Sequence, residues 1–256
     1  MKITDWVRSL LRRKVRISVD KLPSQGFFYK PDFGISIKPA DVQEIKEYES
    51  NYDKENIGEV LRRLKYIVLK NTILENGYEF SHIKSIDIVY LFLEIVRLTK
   101  GKPVVINYFD DETYTVKQVD FGTESFNYFV PDTKLIDSWN SDLRCFEING
   151  YRISLPSIGI ENSLTQYLIE KSYEPGAEKF NDYNYNFTFL VDDRNRLRFD
   201  EIDNLIQIFN FDIDDDEKFL VEDAVNAIKS MQKYSIRVEG KIIDLSSKIN
   251  LENIWK

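Results

Sequence analysis

One stretch of this chain has to be buried. From Ser85 the sequence places Ile86, Ile88, Val89, Leu91, Phe92, Ile95 and Val96 within twelve residues. At 3.6 residues per turn these side chains occupy most of a helix circumference rather than one stripe. The stretch therefore predicts a central helix, closed by Lys100-Gly101-Lys102-Pro103 with glycine at the C-cap and proline beyond it. Asp87 and Glu94 interrupt the run, and it falls short of the about 18–20 apolar residues that a membrane-crossing helix needs. A helix that is apolar on most sides must be wrapped by other elements.

Residues 15–38 read as short strands with turns between them. Val15, Ile17 and Val19 alternate with polar residues, as do Ile35 and Ile37, and Pro23 and Gly26 mark a turn inside Leu22-Pro23-Ser24-Gln25-Gly26-Phe27-Phe28-Tyr29. Pro39-Ala40-Asp41 opens a helix to about Tyr48, with Asp41 and Glu44 in its first turn. Ile57, Val60, Leu61, Leu64 and Val68 form the apolar stripe of a second helix over about 56–70. Beyond the central helix, Val104–Phe109, Tyr114–Phe121 and Phe126–Val130 read as consecutive antiparallel strands. A polar stretch at 132–143 follows, where a domain boundary is expected.

The second half repeats this logic. Phe146 to Leu155 predicts a hairpin turning at Asn149-Gly150, and a helix follows over about 160–172. Phe187–Val191 and Leu197–Phe199 read as a further hairpin, then helices at about 200–210 and 215–233, then strands at 235–239 and 241–245. Gly34–Pro39 and Tyr151–Pro156 each read strand, proline, helix, a weak internal echo. The expected fold is α+β in three parts. These are a basic N-terminal arm over residues 1–21, a helix-rich α+β domain with antiparallel hairpins over 22–143, and a smaller α+β domain over 144–256.

The arm carries Lys2, Arg8, Arg12, Arg13, Lys14 and Arg16 against the single Asp5, in a chain whose net charge is −8. Residues 3–14 have amphipathic helical spacing, with Trp6, Leu10 and Leu11 as apolar anchors and Arg12 and Arg13 as flanking charges. Such a helix either contacts a partner or docks on the chain's own acidic body. One short helix buries little area on a membrane, and basic residues lying among the apolar ones do not make a secretory leader. An acidic body repels phosphate backbones, so nucleic acid is not expected as the main partner.

Chemistry-bearing residues are few. His82 and Cys145 are the single histidine and cysteine, against the three or four such ligands of a zinc site. The same two would have to serve any Ser-His-Asp or Cys-His centre. His82 reads as a capping residue and Cys145 as a small core residue. A lone cysteine forms no internal disulfide, which fits a reducing compartment. Asp110-Asp111-Glu112, Asp192–Asp203 and Asp212–Glu217 are the available carboxylate clusters. The first reads as a solvated turn. The second lacks the alternating oxygens and central glycine of a calcium loop. The third reads as the acidic start of a helix, or else a patch for a basic partner. No phosphate-binding glycine loop is present. No enzyme, cofactor or metal site is expected. The alternative from another class is a metal-dependent phosphoryl-transfer enzyme using acids of 110–112 or 192–216.

Two quoted segments resemble a known family. Leu22-Pro23-Ser24-Gln25-Gly26-Phe27-Phe28-Tyr29, followed by Ile35-Ser36-Ile37-Lys38-Pro39 and an acidic helix, resembles the opening of baseplate hub proteins of contractile-tailed, T-even-type phages. Lys84-Ser85-Ile86-Asp87-Ile88-Val89-Tyr90-Leu91-Phe92-Leu93, continuing through Arg97 to Gly101, is similar to that family's central helix. The likeness covers about residues 20–130. The extra basic arm and the lack of a cysteine pair in the hairpin depart from it. The resemblance implies a structural or assembly role in a tail baseplate, in the virion and in the host cytoplasm during assembly. The partners would be other tail proteins in a hetero-oligomer, and a transient assembly chaperone is the alternative. It supplies no catalytic residues. Phe27, Phe28 and Tyr29, aromatics in a turn, join Trp6, Leu10, Leu11, Arg12 and Arg13 as expected partner contacts.

Overall fold

The computed structural model describes residues 14–50, 57–110, 113–121, 129–172, 186–190, 215–232, 235–238, 241–244 and 255. The arm helix, the second carboxylate cluster and the helix expected at 200–210 lie outside these residues. Within them the chain is a mixed α+β fold of helices and antiparallel sheets.

Strands β1 (Val15–Ile17), β2 (Ile35–Ile37) and β3 (Thr72–Leu74) form an antiparallel sheet in that order, with Ile35 opposite both Ile17 and Leu74. Helix α1 (Val42–Glu49) begins at a capping box. Asp41 Oδ1 accepts from the Glu44 N–H at 2.8 Å, and Glu44 Oε2 accepts from the Asp41 N–H at 2.9 Å. Helix α2 (Ile57–Asn71) passes directly into β3, and helix α3 (Ile88–Lys100) is the central helix. Leu91, Phe92, Leu93, Ile95 and Val96 of α3 are all fully buried. Glu94 is buried among them and takes Arg97 Nε at 3.0 Å. Gly101 closes the helix with φ 65°, its N–H on the Arg97 carbonyl at 3.0 Å.

A two-stranded ribbon follows. Strands β4 (Val104–Asp110) and β5 (Thr115–Phe121) pair along their whole length, and Val104 and Phe121 anchor the base in the core of α3. Strands β6 (Trp139–Asn140), β7 (Cys145–Ile148) and β8 (Tyr151–Ile153) form a second antiparallel sheet. The β7–β8 turn sits at Asn149 and Gly150 with φ 52° and 83°, the positive pair that a tight hairpin requires. Helix α4 (Ile158–Ser172) follows Pro156, so the strand-proline-helix echo is present in both halves. Helix α5 (Asp215–Met231) buries Val221, Ala224, Val225, Ile228 and Met231 at helical spacing. Strands β9 (Ser235–Val238) and β10 (Lys241–Asp244) form a hairpin.

Several expectations need correction. Val19 leaves the strand pattern for a single 3-10 turn, Val19–Lys21. β3 was not expected, because no glycine or proline separates it from α2. Phe187–Phe189 is a 3-10 turn rather than a strand. Phe189 and its neighbour Leu190 are both buried, whereas a strand would alternate them. Phe129 does not extend the β4–β5 ribbon; it bridges to Gln232, and its N–H reaches the Pro23 carbonyl at 3.1 Å. The polar stretch at 132–143 contains a 3-10 helix, Thr133–Ser138, and β6 itself. The boundary expected after residue 143 falls inside the turn joining β6 to β7.

Two apolar clusters result. The first surrounds α3 and takes in the β1–β3 sheet, α2 and Ile158. The second combines Phe146 and Ile153 of the β6–β8 sheet with α5, α4, Phe129 and Phe28. Cys145 is buried in β7 and His82 Nδ1 accepts the Glu79 N–H at 2.8 Å, so both fill the structural roles expected of them.

Glycine positions separate two costs. Gly26 has φ 68° and a Cβ there would lie 2.7 Å from Val19 Cγ1, whereas Gly101 has φ 65° and open space around it. Gly101→Ala is expected to cost about 1–2 kcal/mol from the left-handed backbone alone. Gly26→Ala adds overpacking and is expected to cost about 2–4 kcal/mol. Urea unfolding of the two variants checks the order.

Candidate functional site

The quoted motif residues converge on one buried carboxylate. Asp87 ends the 3-10 turn that leads into α3 and is fully buried. Its Oδ1 accepts the Ser24 N–H at 2.7 Å, and its Oδ2 accepts the Ser24 hydroxyl at 2.8 Å and the Tyr29 hydroxyl at 2.7 Å. Tyr29 in turn accepts the Lys84 N–H at 2.8 Å. The turn of residues 22–29 is thereby fixed to the entrance of the central helix by three bonds to one side chain.

Lys84 extends the network to the other half. Its ammonium donates to Ser154 Oγ at 3.1 Å and to the Leu155 carbonyl at 2.9 Å, and lies 5.8 Å from the Phe28 ring centroid. Backbone bonds run parallel to this link: Ser85 N–H to the Pro156 carbonyl at 3.0 Å and Ile158 N–H to the Ile83 carbonyl at 2.8 Å. Residues 83–87 are therefore the seam between the two clusters.

Burial sets the proton affinities here. It raises Asp87 to about 6, against the opposing pull of the Ser24 and Tyr29 bonds and the Lys84 charge. It lowers Lys84 to about 8, against the attraction of Asp87. Burial, and then the Asp87 charge, hold the Tyr29 phenol well above its ordinary range. Cys145 is pushed up to about 11, again by burial, away from thiolate chemistry.

The Lys84–Ser154 contact has the composition of a serine–lysine nucleophile pair. Its placement is structural. Ser154 is buried, its N–H is used by the Phe189 carbonyl at 2.8 Å, and the same ammonium is spent on Leu155. A cleft of about 350 Å³ opens elsewhere, lined by Asp137, Ser138, Trp139, Asn140, Ser141 and Glu147. Its Asn140 is already engaged, accepting the Asp142 and Leu143 N–H groups and donating to Glu147. Among the described residues no group of three His, Cys, Asp or Glu side chains is placed to hold a metal ion. Likewise, no helix there is long and apolar enough to cross a membrane.

The expected contact residues divide. Trp6, Leu10, Leu11, Arg12 and Arg13 lie outside the described residues. Phe28 and Tyr29 are buried and Phe27 is half-buried. Phe27 packs tilted on Trp139 at 4.1 Å, Phe28 meets Phe129 edge-on at 5.0 Å, and Tyr29 stacks on Phe33 at 3.9 Å. The turn sends Phe27 and Phe28 into the second cluster and Tyr29 into the first, so these aromatics pack within the chain's own interior.

Apolar surface is exposed elsewhere, and the ribbon carries part of it. Val105 is 48% exposed, Tyr114 80% and Val116 68%, and residues 113–118 are exposed in succession. Successive strand residues point to opposite faces, so both faces of the ribbon's far end meet solvent. Leu61, Tyr66 and Leu69 on α2 and Phe219 and Leu220 on α5 are exposed as well. Sequence reading missed Ser24, Lys84 and Asp87 as a unit. The available signal was an aspartate inside the most apolar stretch of the chain, since such a residue is rarely buried unless paired.

Comparison with family models, with curated proteins and with solved structures finds no match for this chain.

Asp87→Ala leaves three donors without an acceptor and is expected to cost about 3 kcal/mol or more, while Tyr29→Phe is expected to cost about 1–2 kcal/mol. The pH dependence has a definite sign. Asp87 has a folded value near 6, above its ordinary 3.8. Its contribution is therefore fully present below about 4 and lost as pH rises through about 6. Lys84 is shifted the other way, keeps its contribution above its ordinary 10.5 and loses it as pH falls through about 8, so it stays charged across the acidic window. The stability advantage of the natural chain over Asp87→Asn is expected to be larger at about pH 5 than at about pH 7. Denaturant unfolding at the two pH values checks this, and an advantage independent of pH contradicts it.

Proposed function

We propose that this chain works through protein–protein contact, as a structural or assembly component of a contractile-tail baseplate hub, and not as an enzyme. The observation that carries the contact reading is the β4–β5 ribbon. A two-stranded hairpin is marginal alone. Among the described residues its core members are Val104 and Phe121 at its base, and it presents Val105, Tyr114 and Val116 to solvent. A strand pair with apolar side chains on its free end gains by covering them with another chain. The resemblance over residues 20–130 supplies the tail context. The basic arm adds charge to steer docking onto an acidic neighbour. Two apolar clusters joined by a polar seam support a two-part body, with Phe27, Phe28, Phe129 and Trp139 belonging to the second part.

The test is mass spectrometry of purified tailed particles beside the producing-cell lysate, with a chain lacking residues 1–16 compared in parallel. Presence of the intact chain in particles makes it a subunit, and loss of the shortened chain assigns anchoring to the arm. Presence only in the lysate, bound to tail proteins, makes it an assembly chaperone. Failure to bind any tail protein overturns the reading. A Tyr114→Ser, Val116→Ser double variant is expected to change stability by no more than about 0.5 kcal/mol per site, while reducing incorporation into tail complexes, as read by co-sedimentation.

A further inference from the structure

Two helices, one from each apolar cluster, present exposed faces of opposite charge. Helix α2 buries Leu64, Ile67 and Val68 in the first cluster. Its outer side carries Leu61, Lys65 and Leu69 in one row at four-residue spacing and Arg62, Tyr66 and Lys70 in the next. Leu61, Tyr66 and Leu69 are exposed, Leu69 by 48%. Within the helix Arg62, Arg63, Lys65 and Lys70 stand against the single Glu59. Glu59 is shared by Arg62 and Arg63, and Lys65 meets Glu161 at 3.4 Å. Lys70 lies 5.6 Å from the Tyr66 ring centroid.

Helix α5 has the opposite sign. It buries Val221, Ala224, Val225 and Ile228 in the second cluster. Its outer side sets Asp216 beside Leu220 and Phe219 beside Asp223, again at four-residue spacing. All four are exposed, Phe219 by 66%. Along the helix Asp215, Asp216, Glu217, Glu222 and Asp223 stand against Lys218 and Lys229. Among the described residues Lys70, Asp216 and Asp223 have no ion pair.

Apolar side chains gathered on one surface and rimmed by polar ones mark a contact site. Both faces are open in the folded chain, so neither covers the other within one molecule. A second copy supplies the missing cover. The aspartates beside Phe219 and Leu220 then meet the basic residues beside Leu69 and Tyr66, and the apolar side chains are buried together. Two α2 faces, or two α5 faces, would instead set like charges against each other. We propose that copies of this chain bind one another with the α5 face of one on the α2 face of another. The contact is heterologous, joining two different surfaces. It uses neither the ribbon nor the tail resemblance, so its failure leaves the proposed function untouched.

The test is sedimentation velocity of the full chain up to about 0.5 mM, which registers the weak association expected of an interface below about 1,200 Å². The natural chain is expected to self-associate, and to do so at least about threefold more weakly when salt rises from about 50 mM to about 500 mM, because the charges are exposed. Leu69→Asp sets a carboxylate against the aspartates of α5, and Phe219→Asp removes the ring from the other face. Each is expected to weaken self-association at least about tenfold. Mixed in equal amounts, the two variants are expected to associate again, because the first keeps an intact α5 face and the second an intact α2 face. A natural chain that stays monomeric overturns the proposal. So does association that either variant leaves unchanged, or a mixture that associates no better than its parts. If either variant does not fold, Lys70→Glu and Asp223→Lys take the same two roles and are read by the same criteria.

Discussion

The fold depends on a charge placed where charge is expensive. Asp87 is fully enclosed, and burial works against its ionised form strongly enough to raise its proton affinity to about 6. What makes the position tenable is that every donor in reach is aimed at it: the Ser24 N–H, the Ser24 hydroxyl and the Tyr29 hydroxyl. An apolar residue of the same size would pack without that cost, but it would not say where the turn must sit. Hydrogen bonds have length and angle, so a turn shifted by one residue loses all three. Packing of Leu22 and Tyr29 on one side and Phe27 and Phe28 on the other follows from that registration.

The same geometry explains how the motif read in the sequence works. In the sequence, Pro23 and Gly26 read as turn punctuation beside an aromatic run, and Ser24 and Tyr29 carry no separate signal. The serine and tyrosine are ligands of a carboxylate some sixty residues away, and the glycine allows the backbone to pass Val19. Local pattern carries the elements well: the α3 run, the capping box at Asp41, the Asn149-Gly150 turn and the α5 stripe are each dictated within a few residues. It carries the pairing of distant segments poorly. Nothing local in Thr72-Ile73-Leu74 says that it will close a sheet with Ile35–Ile37, and nothing in Phe129 says that it will leave the ribbon for Gln232.

That limit is also why the expected contact residues and the exposed ones differ. An aromatic in a turn is equally good at filling a core and at meeting a partner, and the sequence holds no record of which side of the turn faces in. Phe28 and Tyr29 face in because Asp87 draws Ser24 and Tyr29 inward and the peptide units between them must follow. By contrast, Val116 sits in an ordinary alternating strand that reads as half-buried, and Tyr114, expected to begin that strand, lies in the turn before it with φ 53°. They are exposed only because no described element packs over the far end of the ribbon.

Under the proposed contact reading, the ribbon's composition fits a selective surface rather than an indiscriminate one. Long unpaired strands invite indiscriminate pairing, and natural proteins blunt them with charge. Here Val116 is followed by Lys117 and Gln118, and Val105 lies opposite Asp120. A strand pairing here would have to accommodate charge next to each apolar contact, which a generic hydrophobic segment does not do. The polar seam at Asp87 and the interrupted apolar faces of the ribbon apply one physical rule at two scales. Burial of carbon supplies the attraction, and placed polar groups decide which of many apolar arrangements is adopted.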